Sequence, residues 1–260
     1  LLFVEAPMLH WPDSMFSYWT GENILFSNDA FGQHYATEML YDDLVDQSEL
    51  FGEALKYYAN ILTPFSALVT KKIREVLALN LPVKMICPSH GALWRSDPVK
   101  IVEKYLLWAN AYQENQIALV YDTMWDSTRL MAEAIADGIR DADPSATVKL
   151  MNTAKRDKND VAAEVFRSKA ILLGSPTINN GLLHSVAGLL EMFRGLKFKG
   201  KAAAAFGSYG WSGEAVSQLT AGLKAAGFRI VDDGRKALWV PDARELDACR
   251  EYGRNFARSL

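Results

Sequence analysis

The sequence has few cysteines, no long apolar run and no strong excess of one charge, and each absence excludes a class of protein. Cys87 and Cys249 are the only cysteines in 260 residues, too few for a disulfide framework or a four-thiolate metal site. No apolar run approaches the roughly 20 residues that a membrane-spanning helix needs. We therefore expect a cytoplasmic protein in a reducing compartment, without a membrane partner.

The charge balance and the first residues narrow the class further. The formal net charge is −3, and neither half carries the basic stripe that is typical of nucleic-acid-binding proteins, so we expect no nucleic-acid partner. The chain begins without an initiator Met, inside the strand-like run Leu1–Glu5. This start indicates a fragment of a longer protein. The length allows one large domain or two smaller ones.

One stretch in the middle of the chain combines a strand, a polar loop and a helix. Ile117–Val120 is a short apolar run typical of a buried strand,. The loop Thr123–Thr128 follows, and apolar residues then recur with helical spacing up to Ile139,. Backbone amides at such a helix start favour an anion. The loop lacks the glycines and the lysine of nucleotide-binding loops, so it suits a phosphate monoester held by neutral donors, or it is only a helix cap with spare hydroxyls.

Strand and helix alternate five times over the second half of the chain. We predict further strands at 147–151, 169–174 and 201–206, and a fifth from 228–231 and 237–240, broken at 232–234,. Such alternation predicts an open, doubly wound parallel sheet that binds ligands at the carboxyl ends of its strands. Three polar loops share that edge, and their residues are the pocket candidates. They are Thr123, Met124, Trp125, Asp126, Ser127 and Thr128; Ser175, Pro176, Thr177, Ile178, Asn179, Asn180 and Gly181; and Ser208, Tyr209, Gly210, Trp211, Ser212 and Gly213.

This arrangement resembles a flavodoxin domain. The loop Thr123–Thr128 is similar to the loop that holds the phosphate of flavin mononucleotide (FMN) in that family, and Ser175–Gly181 and Ser208–Gly213 resemble the two loops that flank the flavin ring. The resemblance implies that Thr123, Ser127 and Thr128 contact the phosphate. It also implies that backbone groups of the other two loops hold the ring.

The first half has a different pattern, with strands predicted at 1–5, 15–18, 22–26 and 83–87 and helices at 65–79 and 98–113,. Residues 41–60 are acidic and either helical or irregular. His10, Asp29 and His90 each follow a strand-like run. Imidazole and carboxylate suit iron, zinc or manganese, although a single histidine after a strand is more often an ordinary loop residue. We place the boundary between the halves near Glu114.

These segments resemble the C-terminal part of a metallo-β-lactamase-like αββα domain, and that domain followed by a flavodoxin domain is the signature of flavodiiron proteins. The resemblance assigns residues 1–114 to a di-iron domain and residues 115–260 to a five-stranded FMN-binding domain. It makes His10 and His90 terminal iron ligands and Asp29 the bridging ligand. The family's His-x-Glu-x-Asp motif is missing, so the remaining ligands are expected before residue 1. His34 and His184 match no ligand position, and we interpret both as structural.

The segments around His10 and Asp29 resemble the flavorubredoxin branch of that family. The resemblance implies an oxidoreductase that reduces nitric oxide to nitrous oxide, or O2 to water, with electrons from rubredoxin or a rubredoxin-reductase-type donor. It also implies a homo-oligomer, a head-to-tail dimer or a tetramer. Two alternatives stay open. One is an FMN-binding electron-transfer module with an incomplete metal site, and the other is a zinc hydrolase that uses His10, Asp29 and His90.

Overall fold

The computed structural model describes all residues 1–260, and the chain divides into two compact units, Leu1–Tyr112 and Gln113–Leu260. The sequence predicted a boundary near Glu114, and the first strand of the second unit begins at that residue. No helix in either unit has the length and apolarity required to cross a membrane. Each unit is described by itself below.

The first unit contains a four-stranded mixed sheet and three α-helices. Its elements are β1 (Leu2–Glu5), β2 (Met15–Trp19), β3 (Ile24–Asn28), α1 (Gln47–Tyr57), α2 (Ser66–Ala78), β4 (Met85–Pro88) and α3 (Pro98–Trp108). The strand order is β1-β2-β3-β4. β2 runs antiparallel to both neighbours and β4 runs parallel to β3. Consequently β1, β3 and β4 all point the same way, and their carboxyl ends meet at one edge.

The two faces of this sheet differ in what covers them. Phe16, Leu25 and Ile86 are buried, and with side chains of α2 and α3 they line an apolar cavity of about 140 Å³. On the opposite face, Phe3 and Trp19 are about half exposed. Period-two alternation along the strands produces this contrast. A sheet with helices on one face and apolar side chains on the other agrees with the prediction of a partial αββα domain.

Several elements of the first unit have bounds that differ from those predicted. The strand predicted at 83–87 begins only at Met85. The helix predicted to reach Gln113 ends at Trp108. Ala111, three residues further on, has a left-handed φ of 48°, so the chain does not continue as a helix to Gln113. Residues 41–60 contain a short 3₁₀ turn and then α1, which is extended by a π-helical turn at Tyr58–Leu62.

The second unit is a doubly wound parallel sheet, which confirms the predicted fold class. Its elements are β5 (Glu114–Tyr121), α4 (Ser127–Ala142), β6 (Thr147–Asn152), α5 (Lys158–Arg167), β7 (Ser168–Gly174), α6 (His184–Leu196), β8 (Ala202–Tyr209), α7 (Ala215–Ala225), β9 (Arg229–Ile230), β10 (Arg235–Leu238) and α8 (Ala243–Arg258). The order is β6-β5-β7-β8, with β9 and β10 both on the outer side of β8. This is the flavodoxin-like order 2-1-3-4-5 if β9 and β10 count as one strand.

The fifth strand is broken, as the sequence predicts. β9 pairs with Ala202 and Ala203, and β10 pairs with Phe206 to Tyr209. Between them the amide of Gly234 donates to Oδ1 of Asp232 at 2.7 Å, and Gly234 has a φ of 98°. The second segment ends at Leu238 rather than Val240, because Trp239 turns to a left-handed φ of 57°.

The core of the second unit explains its strand composition. One face of the sheet packs against α4 and α8 through buried residues such as Leu119, Met131 and Phe256. The crossovers to β7 and β8 run the other way along the sheet, so right-handed connections place α5 to α7 on the opposite face. With both faces covered, β5, β7 and β8 are buried almost throughout, as expected for parallel strands.

Candidate functional site

The phosphate-loop candidate lies at the switch point of the sheet, between β5 and α4. β5 is flanked by β6 on one side and β7 on the other, so the loops after β5 and β7 diverge there and leave a crevice. α4 begins at Ser127, and the side chain of Asp126 makes no capping hydrogen bond to it. The first amides of α4 therefore have no side-chain acceptor in their own loop and can bind an anion.

Asp126 is held away from those amides. It has a left-handed φ of 64°, and its Oδ1 accepts a hydrogen bond from Nε of Arg129 at 2.8 Å. That bond lowers the pKa of the Asp126 carboxyl below its usual range. Glu133 accepts a hydrogen bond from Nη1 of the same guanidinium at 2.8 Å. Arg129 therefore fixes the loop, but the carboxylates of Asp126 and Glu133 already compensate its positive charge.

Thr123 is the clearest sign that the loop accommodates a ligand. Its hydroxyl oxygen is buried and has no hydrogen-bond partner within the protein, an arrangement that is costly unless a bound group supplies one. Its amide donates to Oδ1 of the buried Asp122 at 2.7 Å, and Ser185 Oγ donates to Asp122 Oδ2 at 2.5 Å. The Asp122 carboxylate thus fixes the backbone of Thr123 and links it to Ser185.

Asp126→Asn is expected to bind FMN, the ligand that the flavodoxin resemblance implies, about threefold more tightly. The substitution removes a carboxylate near the phosphate loop, and a charge interaction of this kind is modest in water. Asn tolerates the left-handed φ at this position. Flavin fluorescence titration at low and high salt measures the effect, which should shrink at high salt. Weaker binding by the variant at both salt concentrations would contradict this account of the loop.

The second and third loops are joined to the first by hydrogen bonds. The hydroxyls of Thr128 and Ser208 lie 2.9 Å apart, and both residues are buried. The amide of Thr177 donates to the carbonyl of Ser208 at 2.9 Å. Thr128, predicted from the resemblance to contact phosphate, therefore also ties the first loop to the third.

The second loop has a defined shape. Asn179 and Asn180 have φ values of 49° and 56°, and Ile178 and Gly181 exchange backbone hydrogen bonds of 3.2 and 2.8 Å. These are the marks of a type I′ turn, in which asparagine is favoured. Gln218 of α7 donates to the carbonyl of Asn180 at 2.8 Å, so the turn is anchored to a helix.

Large apolar side chains stand exposed around this edge. Trp125 is 86% and Trp211 is 78% exposed, and Met124 is also exposed. Tyr209 packs on Gly213, whose φ of 74° would strain any other residue. Exposed aromatics at the rim of a crevice are typical of a surface that covers a flat apolar ligand or a partner.

The metal candidates converge in the first unit. His10 Nε2 lies 3.2 Å from Asp29 Oδ2, and His90 Nε2 lies 3.3 Å from Asp29 Oδ1. Two donor atoms bound to one divalent cation at about 2.1 Å and at right angles are about 3 Å apart. Each histidine therefore pairs with a different carboxylate oxygen at the spacing of two neighbouring ligands. Together the three residues could supply only part of a metal site, because no group of side chains here could hold a metal ion by itself.

Gln33 holds the loops of Asp29 and His90 together, and no sequence pattern indicated this role. Its Nε2 donates to the carbonyl of Ala92 at 3.1 Å, and its Oε1 accepts from the amide of Ala92 at 2.8 Å. A Cβ on Gly91 would lie 1.6 Å from the same Oε1. Gln33 and Gly91 are thus a matched pair that sets the position of His90.

Two further side chains lie beside His90. His34, interpreted from sequence as structural, is exposed, and its ring centroid lies 5.6 Å from that of His90. Tyr57 is buried, with its ring 6.4 Å from His90. Burial, and then the charge of Asp29, raises the pKa of the Tyr57 hydroxyl. His34 lies five residues after Asp29 in the loop that follows β3, whereas Tyr57 ends α1, and only a contact between distant segments reveals its place beside His90.

Comparison with known proteins places both sites in context. A flavodoxin family model matches residues 119–253. The anaerobic nitric oxide reductase flavorubredoxin of Vibrio vulnificus is 58% identical over 258 residues, which are 99% of this chain and 52% of that protein. The Klebsiella pneumoniae protein of the same name is 56% identical, with 99% and 53% covered. The chain thus spans about half the length of the curated relatives it matches.

Solved structures agree with the sequence relatives. Rubredoxin oxygen:oxidoreductase from Desulfovibrio gigas has a TM-score of 0.94 at 36% identity, covering 99% of this chain and 64% of that one. The flavodiiron protein from Giardia intestinalis has a TM-score of 0.93 at 34% identity, covering 99% and 63%. Fold and site define a flavodoxin-type domain preceded by a sheet unit that carries a histidine–carboxylate cluster. The chain belongs to the flavodiiron protein family, as the sequence resemblance predicts.

Proposed function

We propose that this chain is part of an FMN- and di-iron-dependent reductase that converts nitric oxide to nitrous oxide, O2 to water, or both. The observation that carries the proposal is Asp29, which offers one carboxylate oxygen to each of two histidines. A simple flavin electron carrier has no use for such a cluster. The relatives named above are a nitric oxide reductase and an oxygen oxidoreductase, which supports both substrates.

In this proposal the three rim loops hold FMN. Thr123, Ser127 and Thr128, with the first amides of α4, bind the phosphate, and the backbone of Pro176–Asn180 and Tyr209–Gly213 holds the ring. Bound FMN supplies electron transfer in single steps or in pairs. The buried hydroxyl of Thr123 gains its missing partner, and Arg129 keeps the Asp126 carboxylate turned aside. The surrounding tryptophans exclude water from the ring.

His10 and His90 would each hold one iron, and Asp29 would supply a carboxylate oxygen beside each histidine. Bound iron supplies Lewis acidity and a template for the substrate. The buried carboxylate is positioned between the two histidines, and Gln33 fixes the loop that carries His90. Two imidazole nitrogens and two carboxylate oxygens are fewer donors than two octahedral irons need. We place the remaining ligands in the part of the longer relatives that this chain does not span.

The partners follow from the same argument. A rubredoxin, or a rubredoxin-reductase-type protein, delivers electrons to FMN, as the names of two relatives indicate. The working form is a homo-oligomer, a head-to-tail dimer or a tetramer, in the cytoplasm. The incomplete donor set favours one alternative for residues 1–260 taken alone: an FMN-binding electron-transfer module.

Anaerobic titration of the purified chain with FMN and Fe²⁺ tests the proposal. We expect FMN to bind with quenching of its fluorescence, and we expect iron to bind only weakly at the Asp29 cluster, because its donor set is incomplete,. Asp29→Asn should weaken iron binding more than tenfold, because a charge-assisted contact is lost, and leave FMN binding unchanged. His184→Ala is the matched control. NO consumption with reduced rubredoxin then separates reductase from electron carrier.

Three outcomes would overturn part of the proposal. FMN binding without metal binding or NO consumption would leave the electron-transfer module. Zinc binding with hydrolytic turnover and no flavin would favour the hydrolase. Iron bound equally well by Asp29→Asn would remove Asp29 from the site.

A further inference from the structure

The segment that follows β10 lies at the same edge of the sheet as the three rim loops. β10 pairs with β8 in parallel, with Leu238 opposite Tyr209, and the amide of Trp239 donates to the carbonyl of Tyr209 at 2.8 Å. Trp239 therefore leaves its strand next to Gly210 of the third rim loop. The segment after β10 lies outside the three rim loops named above.

Trp239 is held in an unusual conformation. Its φ of 57° is rare for a bulky side chain,, and such strain is often found at functional sites. The indole is 61% exposed. Neither burial nor a preferred backbone conformation accounts for a large aromatic residue at this position.

The indole of Trp239 contacts the third rim loop directly. A Cβ added to Gly210 would lie 2.9 Å from Cζ3 and 3.0 Å from Cη2 of Trp239. The ring of Trp211 lies 6.4 Å from that of Trp239 at 66°, an edge-to-face arrangement,. Trp239 therefore packs against the backbone at Gly210 and against the side chain of Trp211, and it limits where both can move.

We propose that Trp239 is a positioning residue for the flavin ring, acting through Gly210 and Trp211. This inference rests on the proposed FMN site. The loop Gly210–Gly213 begins and ends with glycine, so it is conformationally permissive by itself. The Trp239 indole gives it an outer wall and orients Trp211 toward the crevice, and this lowers the cost of ordering the loop around a flat aromatic ligand.

A double-mutant cycle on the whole chain tests the proposal, with FMN affinity and flavin fluorescence as readouts. Gly210→Ala should weaken FMN binding about tenfold, because its Cβ displaces the indole. Trp239→Ala should weaken binding to a similar extent and leave bound flavin more fluorescent. In Trp239→Ala the space beside residue 210 is open, so adding Gly210→Ala should cost little more. Trp239→Phe should restore part of the affinity.

The control is Trp125→Ala, which removes another exposed tryptophan, from the first loop. Its effect and that of Gly210→Ala should multiply, because the atoms nearest to a Cβ at residue 210 belong to Trp239 and not to Trp125,. The proposal is overturned if Trp239→Ala leaves affinity and fluorescence unchanged, or if its effect also multiplies with that of Gly210→Ala. Thermal unfolding of the FMN-free variants checks that the fold is intact. Failure of the parent chain to bind FMN would overturn the proposed function itself.

Discussion

Gly138→Ala is expected to lower the free energy of unfolding of the second unit by about 3 kcal/mol, the upper part of the range for overpacking in a core. Gly138 lies on α4, where a Cβ would come within 1.8 Å of the carbonyl oxygen of Arg250 on α8. That oxygen belongs to the backbone of a helix and cannot rotate away as a flexible side chain could. The two helices must separate to accept the methyl group.

The contact is reciprocal. Gly253 on α8 faces the carbonyl of Ile135 on α4, and a Cβ there would lie 2.1 Å from the oxygen. Each helix thus places its glycine against a backbone carbonyl of the other helix. In each helix that carbonyl lies three residues before the helix's own glycine. The close approach buries Ile135 and Cys249 in one core and lets Arg250 bind Asp141 through two hydrogen bonds of 2.6 and 2.9 Å.

Gly188→Ala is the matched control. Gly188 also lies within a helix, α6, but an added Cβ meets nothing within 4 Å. Alanine there should raise stability by about 0.5–1 kcal/mol, because glycine is a poor helix former. Urea unfolding followed by circular dichroism measures both variants. Equal effects of the two substitutions would show that the α4–α8 contact does not limit packing.

This contact bears on function because α4 carries the phosphate loop at its N-terminus. Separation of α4 from α8 would move the Ser127 end of the helix relative to β7 and β8, and the Thr128–Ser208 hydrogen bond would lengthen. Gly138→Ala should therefore weaken FMN binding as well. The loss of affinity should exceed that of any surface substitution on α4.

The sequence predicted the second unit well because its signals are local. Apolar runs such as Ile117–Val120, helical spacing after Thr128 and the turn formers of Ser175–Gly181 each follow from a few neighbouring residues,. The break in the fifth strand at 232–234 was equally readable, since Asp-Asp-Gly favours a turn. Strand order was then limited by the rules for parallel sheets.

The sequence did not reveal contacts between distant segments. Gln33 forms hydrogen bonds with the backbone of Ala92, 59 positions away, and no local sequence pattern predicts such bonds. Trp239 lies beside Gly210 only because β10 pairs with β8. The sequence did not predict the direction of β2 either. Because β2 runs antiparallel to both neighbours, β1, β3 and β4 are parallel. Their carboxyl ends therefore bring His10, Asp29 and His90 to one edge of the sheet.

The FMN phosphate loop provides the sharpest test of the flavin proposal, through Thr123→Val. The variant should bind FMN about 10- to 100-fold more weakly, because a hydrogen bond to a charged group contributes about 1.5–3 kcal/mol. The FMN-free protein should be as stable as the parent or slightly more stable. Its hydroxyl has no partner inside the protein, so replacing it with a methyl group of similar shape removes a buried, unsatisfied polar atom.

Thr128→Val, the matched substitution five positions further along the same loop–helix segment, should behave differently. The Thr128 hydroxyl bonds to Ser208 at 2.9 Å, so its loss leaves Ser208 unpaired and should cost about 1–2 kcal/mol of stability even without FMN. Fluorescence titration gives the affinities, and unfolding of the FMN-free variants gives the stabilities. If Thr123→Val destabilised the FMN-free protein as much as Thr128→Val, the Thr123 hydroxyl would have a structural role, and the loop would lose its best evidence for a bound phosphate.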